Sequence, residues 1–339
     1  MADAQIKAAV TEEAEVARAK AARTYWLRLI VAAVGFLIVV SIANRYSGGS
    51  FLQPSNLIRV LRQITYEAIL AFGQTFVIIT AGIDLSVGSL VSLTGVVMAL
   101  VANASGLHGF PLIAVTLLCG LAVGALAGWV NALPVVKLNL PPFITTLAMM
   151  LMALGLSYKL AGGRPIPVIP PDFENIGYGT IGPIPIVVVW MIAIAVIASV
   201  LLMRTRFGRY VFALGGNEEA ARLAGIGVGR VKTLVYVISG ICAAFVGFLL
   251  MANFSSGSPN TGTGDELLES IAAVVVGGTS LMGGRGSIVG TFFGALLIGV
   301  LYNVMNLIGV ESYTQKIVLG AVILLAVILD ELRKRYIQR

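Results

Sequence analysis

The chain has 339 residues, of which 58% are hydrophobic and only 12% are charged. Water-soluble domains are about 45–50% apolar and about 25% charged, so a soluble fold could not bury this much apolar surface. The net charge of +7 could suggest a nucleic-acid partner, but the basic residues follow the ends of long apolar segments, as membrane topology requires. Both cysteines, Cys119 and Cys242, lie in apolar segments, which argues against disulfides and zinc.

Residues 1–26 are rich in Ala, Glu, Lys and Arg and are expected to form an exposed helix or a frayed tail. They are too long and too acidic for the start of a signal peptide, so the first apolar segment should remain as an anchor. Because a helix needs about 20 apolar residues to cross a bilayer, ten segments are candidate spans, of which the second and eighth are the weakest. The segments are 27–44, 65–81, 87–104, 111–133, 143–160, 184–203, 233–254, 267–281, 287–308 and 314–330.

Lysine and arginine orient these segments, because the cytoplasmic loops of membrane proteins carry an excess of both. With the N-terminus in the cytoplasm, 17 of the 23 Lys and Arg residues lie on the cytoplasmic side. The sequence therefore predicts an all-α, polytopic membrane protein with about ten transmembrane helices and both termini in the cytoplasm. Residues 1–26 and 332–339 would be cytoplasmic tails around a membrane domain of residues 27–331.

Glycines recur at four-residue spacing in two of the predicted spans. Small residues at this spacing let helices approach closely in lipid, so we expect the glycines to serve helix packing. The first set is Gly120, Gly124 and Gly128, and the second is Gly286, Gly290 and Gly294.

The sequence contains no catalytic set, no metal-ligand cluster and no phosphate loop. Among the acidic residues, Glu67, Glu266 and Glu269 are expected near the ends of spans, whereas Asp84 lies between two spans. A proton- or sodium-coupled carrier usually needs ionisable groups at mid-depth, so positions near span ends weaken that function. Asp84 either caps the following helix or lines a pathway or gate.

A neutral polar solute needs uncharged hydrogen-bonding groups along its path. Polar side chains within or beside the predicted spans are candidates for such a pathway or gate, and each could instead bond a neighbouring helix. Together with Asp84, the candidates are Gln74, Thr80, Ser86, Thr145, Thr146, Thr279, Asn303 and Asn306.

The predicted cytoplasmic loop 204–232 carries a helix signal of its own. Asn217 is a favourable N-cap, and two glutamates follow it at the positive end of the helix dipole. Gly225 is a favourable helix terminator. A helix this short does not persist alone in water, so either the membrane surface or a partner protein must hold it.

Four blocks of the sequence carry a family resemblance. They are 81–90 (AGIDLSVGSL), 212–226 (FALGGNEEAARLAGI), 272–290 (AAVVVGGTSLMGGRGSIVG) and 306–313 (NLIGVESY). These blocks resemble the permeases of ribose-type sugar ABC transporters, and the match runs from about residue 53 to residue 330. The block at 212–226 is similar to the cytoplasmic coupling segment of that family.

The resemblance implies a coupling helix that docks on a separate cytoplasmic ABC ATPase. Its residues would be Asn217, Glu218, Glu219, Ala220, Ala221, Arg222, Leu223 and Gly225. Ala220, Ala221 and Leu223 would fill a groove in the ATPase, while the charged residues would contact its rim. The turns at Asp84 and at 284–286 would also face the cytoplasm, so ATPase contact is a rival to a sugar role for both.

The resemblance further implies a fold like that of the cobalamin-type importers and a homodimer with its pathway near the dimer axis. It also implies a periplasmic sugar-binding protein that meets outer loops 162–182 and 255–265. The expected function is import of a monosaccharide, a pentose or hexose, by alternating access in the bacterial inner membrane. The chain itself would be no enzyme and would need no cofactor or metal, because the partner binds ATP. The alternatives are an ion- or proton-coupled carrier and a membrane scaffold or intramembrane enzyme. The sequence does not name the sugar.

Overall fold

The computed structural model describes residues 40–168 and 170–337, which are predominantly helical. The expected tail 1–26, most of the first predicted span and residues 338–339 lie outside the described residues. The helices are α1 (Pro54–Ile79), α2 (Val87–Ala104), α3 (Gly109–Lys137), α4 (Pro142–Ala161), α5 (Glu174–Tyr178), α6 (Ile186–Arg204), α7 (Arg206–Gly216), α8 (Glu218–Leu223), α9 (Val228–Phe254), α10 (Glu266–Val276), α11 (Ile288–Leu307) and α12 (Ser312–Ile337). The short strands are β1 (Ile166–Pro167), β2 (Thr180–Ile181), β3 (Ile184–Pro185) and β4 (Ser256–Gly257).

Six of the described helices are long and apolar enough to cross a membrane, namely α2, α3, α4, α6, α9 and α11. Each lies at a predicted span, and together they make the chain a multi-pass membrane protein. The eighth predicted span is wrong in its extent. Helix α10 has 11 residues, or about 16 Å of rise, which is far short of the bilayer core. It ends at Val276 because Gly277 and Gly278 begin a turn.

Helix α1 is the central element of the domain. It begins at Pro54, which is favourable in the first helical turn, and it ends where Ala81 takes a positive φ of 59°. Every residue from 67 to 80 is buried, and α6, α9, α10 and α11 pack around the helix. Burial on all sides is the environment expected for a helix without a polar face.

The glycine sets lie at close helix contacts. In α3, a Cβ added to Gly124 would lie 2.3 Å from the carbonyl oxygen of Gly240, and one on Gly128 would lie 2.2 Å from that of Tyr236, both in α9. At Gly120 the neighbour is the Met98 side chain. Gly124 and Gly128 admit only glycine because the helix backbones touch there.

The second glycine set joins α11 to α10. A Cβ on Gly294 would lie 2.0 Å from the carbonyl oxygen of Ala273, and one on Gly290 would lie 2.3 Å from that of Gly277. Gly286 precedes the helix, which begins at Ile288, and it lies against the side chain of Thr279. Only two members of this set therefore form a helix face.

The two expected outer loops, 162–182 and 255–265, contact each other directly. Strand β1 pairs with β4 in antiparallel register, with Ile166 opposite Gly257. Strands β2 and β3 form a tight hairpin just before α6. At the other end of the chain, α12 continues to Ile337. The expected boundary at residue 332 therefore falls within a helix.

Candidate functional site

The predicted loop 204–232 contains two helices in place of one. Thr205 accepts a hydrogen bond at Oγ1 from the backbone N–H of Gly208 (3.2 Å) and so caps α7. Helix α7 was missed in the sequence, although its apolar residues Phe207, Val211 and Leu214 recur at helical spacing. Helix α8 follows α7 after the single residue Asn217.

Helix α8 has the predicted cap. The Asn217 side chain accepts a hydrogen bond at Oδ1 from the backbone N–H of Ala220 at 2.9 Å. Glu218 and Glu219 occupy the first turn, where the helix dipole favours negative charge. The helix ends at Leu223, and Gly225 takes a φ of 79°, which reverses the chain toward α9.

The two faces of α8 differ sharply in exposure. Ala221 is only 4% exposed and packs into the protein, whereas Leu223 is 82% exposed. The expectation that Ala221 fills a groove in a partner is therefore wrong, because its own chain covers it. Glu219, Ala220 and Arg222 are also exposed, so the free face of α8 consists of Glu219, Ala220, Arg222 and Leu223.

One ion pair holds α8 on the start of α9, and a second lies within α8. The Glu218 carboxylate lies 2.7 Å from the Lys232 ammonium and 3.4 Å from the Arg222 guanidinium. The Lys232 side chain is 18% exposed, so this pair is better shielded from solvent than an ordinary surface pair. Glu218 therefore positions α8 rather than facing a partner.

The end of α7 meets two other segments by backbone contact, a place that we call the glycine junction: Ile79, Gly215 and Gly284. The N–H of Gly284 donates to the carbonyl oxygen of Ile79 at 2.9 Å. A Cβ on Gly215 would lie 1.7 Å from that same oxygen and 2.6 Å from the nitrogen of Gly284. The 284–286 turn and the end of α1 thus adjoin α7, and their location on the cytoplasmic face stays a prediction.

The junction leads into the Asp84 turn, which we define as residues 80–86 between α1 and α2. Asp84 has no exposed surface. Its Oδ1 accepts hydrogen bonds from the N–H of Ser86 (3.0 Å) and from the hydroxyl of Ser86 (2.6 Å). Its Oδ2 accepts a hydrogen bond from the hydroxyl of Ser239 in α9 at 2.8 Å.

The backbone bond predicted for a cap at Asp84 is present, from the N–H of Ser86, but Asp84 is not itself the N-cap. The N-cap position of α2 is Ser86, and Asp84 lies two residues before it. Asp84 therefore shapes the turn that precedes the helix, as aspartate side chains do when they bond the backbone two residues on. Burial raises the pKa of the Asp84 carboxyl, while the hydrogen bonds from Ser86 and Ser239 oppose that rise.

Three further helices bond to the same turn. The amide of Asn131 in α3 donates to the hydroxyl oxygen of Ser86 at 2.8 Å. The amide of Gln74 in α1 donates to the carbonyl oxygen of Asp84, and the hydroxyl of Thr146 in α4 donates to that of Ile83 at 3.2 Å. The Asp84 turn is therefore bonded to α1, α3, α4 and α9. Sequence reasoning missed Ser239 and Asn131, although a polar Asn131 within an apolar span was a usable signal.

Four of the remaining pathway candidates have partners within the chain, whereas the buried hydroxyl of Thr279 has none among the described residues. Thr80 and Thr145 donate to carbonyl oxygens one turn earlier, at Val77 (2.8 Å) and Pro142 (2.9 Å). Such contacts are local backbone bonds. Asn303 is buried and exchanges two hydrogen bonds with Asn56, at 2.8 and 3.0 Å. Asn306 accepts one from Gln315 at 2.8 Å. These two contacts are hydrogen bonds between helices.

Glu67 is not near a span end, as the sequence suggested. It lies at the middle of α1 and is only 6% exposed, because that helix begins eleven residues earlier than the predicted span. Glu269 in α10 is also buried, and its carboxyl group lies close to that of Glu67. This pair is the feature that an ion-coupled carrier would use.

Comparison with known proteins decides between an ion-coupled carrier and the permease of an ABC importer. The profile of the family described as branched-chain amino acid transport system / permease component matches residues 56–327. The Ribose import permease protein RbsC of Escherichia coli K12 is 43% identical over 312 residues, which cover 90% of this chain and 94% of that protein. The Bacillus subtilis 168 protein of the same name is 44% identical over 298 residues, covering 87% and 89%.

A third relative is named for a different sugar. The Fructose import permease protein FrcC of Rhizobium meliloti is 37% identical over 297 residues, which cover 84% of this chain and 80% of that protein. No solved structure matches the chain. The profile covers all six apolar helices, the glycine junction, the Asp84 turn and α8. The chain therefore belongs to the permease-component family of ABC import systems.

Proposed function

We propose that this chain is the membrane-spanning subunit of an ATP-driven importer that moves a monosaccharide into the cytoplasm. The observation that carries the proposal is α8, a capped helix of six residues whose exposed side chain, Leu223, has no apolar cover from its own chain. Buried Ala221 and the Glu218–Lys232 pair hold α8 against its own chain, so the apolar side chain of Leu223 is free to meet a partner. An ATPase groove would cover it, and the family to which the chain belongs works with an ATPase.

The proposed topology has ten crossing segments with both termini in the cytoplasm of the bacterial inner membrane. The distribution of basic residues supports it, because 17 of 23 fall on the inner side. The direct pairing of β1 with β4 supports placing loops 162–182 and 255–265 on one common face. Helix α10, supported by α1 and α11, would be the helical part of the eighth crossing segment, and the non-helical residues after Gly277 would complete that crossing.

Transport would follow from differential binding of ATP to two states of the assembly. Closure of two ATPase subunits around ATP would move α8, and the permease dimer would change from outward-facing to inward-facing. The chain performs no chemistry on the sugar, and ATP would bind only to the partner. The outer face, with exposed Tyr178 and Ile181, would receive the sugar from a periplasmic binding protein.

The substrate class is a small neutral sugar. Relatives of this chain are named for import of ribose, fructose and allose, so the shared frame accepts both pentose and hexose. The pathway would lie near the dimer axis. Apart from Thr279, the polar candidates are bonded within the protomer, which favours a binding protein as the main source of sugar selectivity.

The test is uptake into proteoliposomes that contain the permease with the ATPase of its own importer and the matching binding protein. The probes are radiolabelled ribose, fructose and allose. Leu223→Asp places a charge on the docking face and should abolish uptake and ATPase association while the protein still inserts. Leu107→Asp makes the same change in a loop expected on the outer face and should leave both intact.

Two results would contradict the proposal. Normal uptake by the Leu223→Asp protein would remove the docking role of α8. Uptake that persists without the ATPase and stops when the proton gradient is collapsed would show an ion-coupled carrier, in which the Glu67–Glu269 pair would become the site to examine.

A further inference from the structure

The polar side chains of the Asp84 turn are enclosed by protein. Asp84 and Ser86 are 0% exposed and Ser239 is 1% exposed. Both carboxylate oxygens of Asp84 already accept hydrogen bonds from protein donors. A sugar in a pathway has no route to these atoms in this conformation, so the polar residues of the turn do not serve as sugar ligands.

The bonds of the turn reach distant parts of the chain. Ser239 lies 155 positions from Asp84, and Asn131 lies 45 positions from Ser86, yet each contact is 2.8 Å long. Buried side-chain hydrogen bonds have strict distance and angle requirements, and networks of them behave as units. Displacement of the turn must therefore displace α3 and α9, or else break these bonds.

The other end of the turn adjoins the coupling segment. Ile79 directly precedes the turn and belongs to the glycine junction, where its carbonyl oxygen bonds the N–H of Gly284 and presses on Gly215. Because the junction is made by backbone atoms, no flexible side chain can absorb a movement there. Gly215 is three positions before α8 begins.

We propose that the Asp84 turn is a positioning joint that carries movement of α7 and α8 into the membrane, with Asp84 acting on α9 through Ser239. Docking of an ATPase would shift α8 and α7, the glycine junction would pass that shift to the end of α1, and the Asp84 turn would distribute it to α2, α3 and α9. This proposal rests on the proposed function, because the joint has a task only if an ATPase moves α8. It supplies the physical connection through which coupling must travel.

The direct test removes one bond of the joint and measures how efficiently ATP hydrolysis drives uptake. In proteoliposomes with the ATPase and binding protein, Ser239→Ala removes the bond between Asp84 and α9. Uptake of the radiolabelled sugar per ATP hydrolysed should fall about five- to tenfold, a size typical of coupling between sites. Assembly with the ATPase and basal ATP hydrolysis should stay near the unmodified values, which a purely structural loss would not achieve.

The matched control is Ser270→Ala in α10. Ser270 is also fully buried, but its hydroxyl donates only to the carbonyl oxygen of Leu267 in its own helix, at 2.7 Å. It should leave sugar uptake per ATP unchanged. Ser239→Cys keeps a weak donor of similar size and should recover part of the coupling if the alanine protein inserts poorly.

Three outcomes would contradict the proposed joint. The first is unchanged uptake per ATP in Ser239→Ala, and the second is an equal loss of uptake per ATP in Ser239→Ala and Ser270→Ala. The third is a Ser239→Cys protein that inserts fully but has no higher uptake per ATP than the alanine protein. The proposed function fails separately, when the unmodified complex takes up sugar without its ATPase. If Leu223→Asp uncouples the complex and Ser239→Ala does not, only the joint is wrong.

Discussion

Helix α8 and the Asp84 turn are both polar segments between apolar helices, yet they differ in solvent exposure. The side chain of Leu223 in α8 is 82% exposed, whereas Asp84 has no exposed surface at all. A segment whose partners lie within the chain is enclosed by them, and a segment whose partner lies outside is left open. Exposure therefore separates two segments that composition and motif could not distinguish.

The hydrogen bonds of the two segments differ in the same direction. The cap of α8 joins residues three positions apart, and its ion pair to Lys232 spans 14 positions. The bond from Ser239 to Asp84 spans 155 positions. Segments held mainly by local bonds open at low free-energy cost, and segments tied to several core helices open only with the core. Helix α8 can therefore move at low free-energy cost, whereas the Asp84 turn can move only together with the helices to which it is bonded.

The largest effect should come from breaking the contact that joins these two regions. Gly215→Ala places a Cβ 1.7 Å from the carbonyl oxygen of Ile79, a backbone clash that costs about 1–3 kcal/mol or more. We expect loss of most uptake together with a lower thermal midpoint of the detergent-solubilised protein. The matched control is Gly216→Ala, the next residue in the chain, where a Cβ meets no atom within 4 Å.

The Gly216→Ala protein should therefore insert, melt and transport like the unmodified protein. Equal behaviour of the two alanine variants would show that the glycine junction is not a close contact in the membrane. It would also remove the link between α8 and the Asp84 turn on which the comparison depends.

An intermediate effect is expected at Asn303, which was a pathway candidate in the sequence and is bonded to Asn56 in the structure. Asn303→Leu leaves the buried amide of Asn56 without its partner and should cost about 1–2 kcal/mol of stability. A lower thermal midpoint with an unchanged order of preference among ribose, fructose and allose is the expected result. Asn306→Leu, at an exposed position, should change the midpoint less. An altered sugar preference in the Asn303→Leu protein would instead place this residue on the pathway.

The smallest effect is expected at the cap of α8. Asn217→Ala removes the acceptor for the backbone N–H of Ala220 and should weaken the helix by about 1 kcal/mol. Because the ATPase would then have to order α8 on binding, its affinity should fall about fivefold, as measured by titrating the ATPase onto the permease in nanodiscs. Asn217→Ser keeps a capping oxygen and should bind nearly as tightly as the unmodified chain. Equal affinity of all three proteins would mean that α8 is not part of the ATPase contact.

Much of this architecture could be predicted because the signals are local. Long apolar runs located the six helices that can cross a membrane, and the Asn217 cap followed by two glutamates located α8. The glycine spacing marked the face of α3 that touches α9, because close approach leaves no room for any Cβ.

The sequence could not show how deeply a residue is buried or which distant residues it contacts. Glu67 was assigned to a span end because the polar residues near the start of α1 hid eleven further helical residues. Helix α10 was taken as a full span because hydropathy does not show where a helix ends within an apolar segment. Nothing near Ser239 indicates a partner 155 positions away. The burial of Ala221 depends on packing against the rest of the chain, which a short helix pattern does not contain.

The central claim is that α8 lies in the cytoplasm, where an ATPase can move it, and cysteine labelling tests this directly. With Cys119 and Cys242 replaced by alanine, Leu223→Cys and Tyr178→Cys would be exposed in turn to a membrane-impermeant maleimide. The account predicts that position 223 is labelled only in inside-out vesicles and is protected when the ATPase is bound, while position 178 is labelled in cells with a permeabilised outer membrane. Labelling of position 223 from the outside of sealed cells would contradict it.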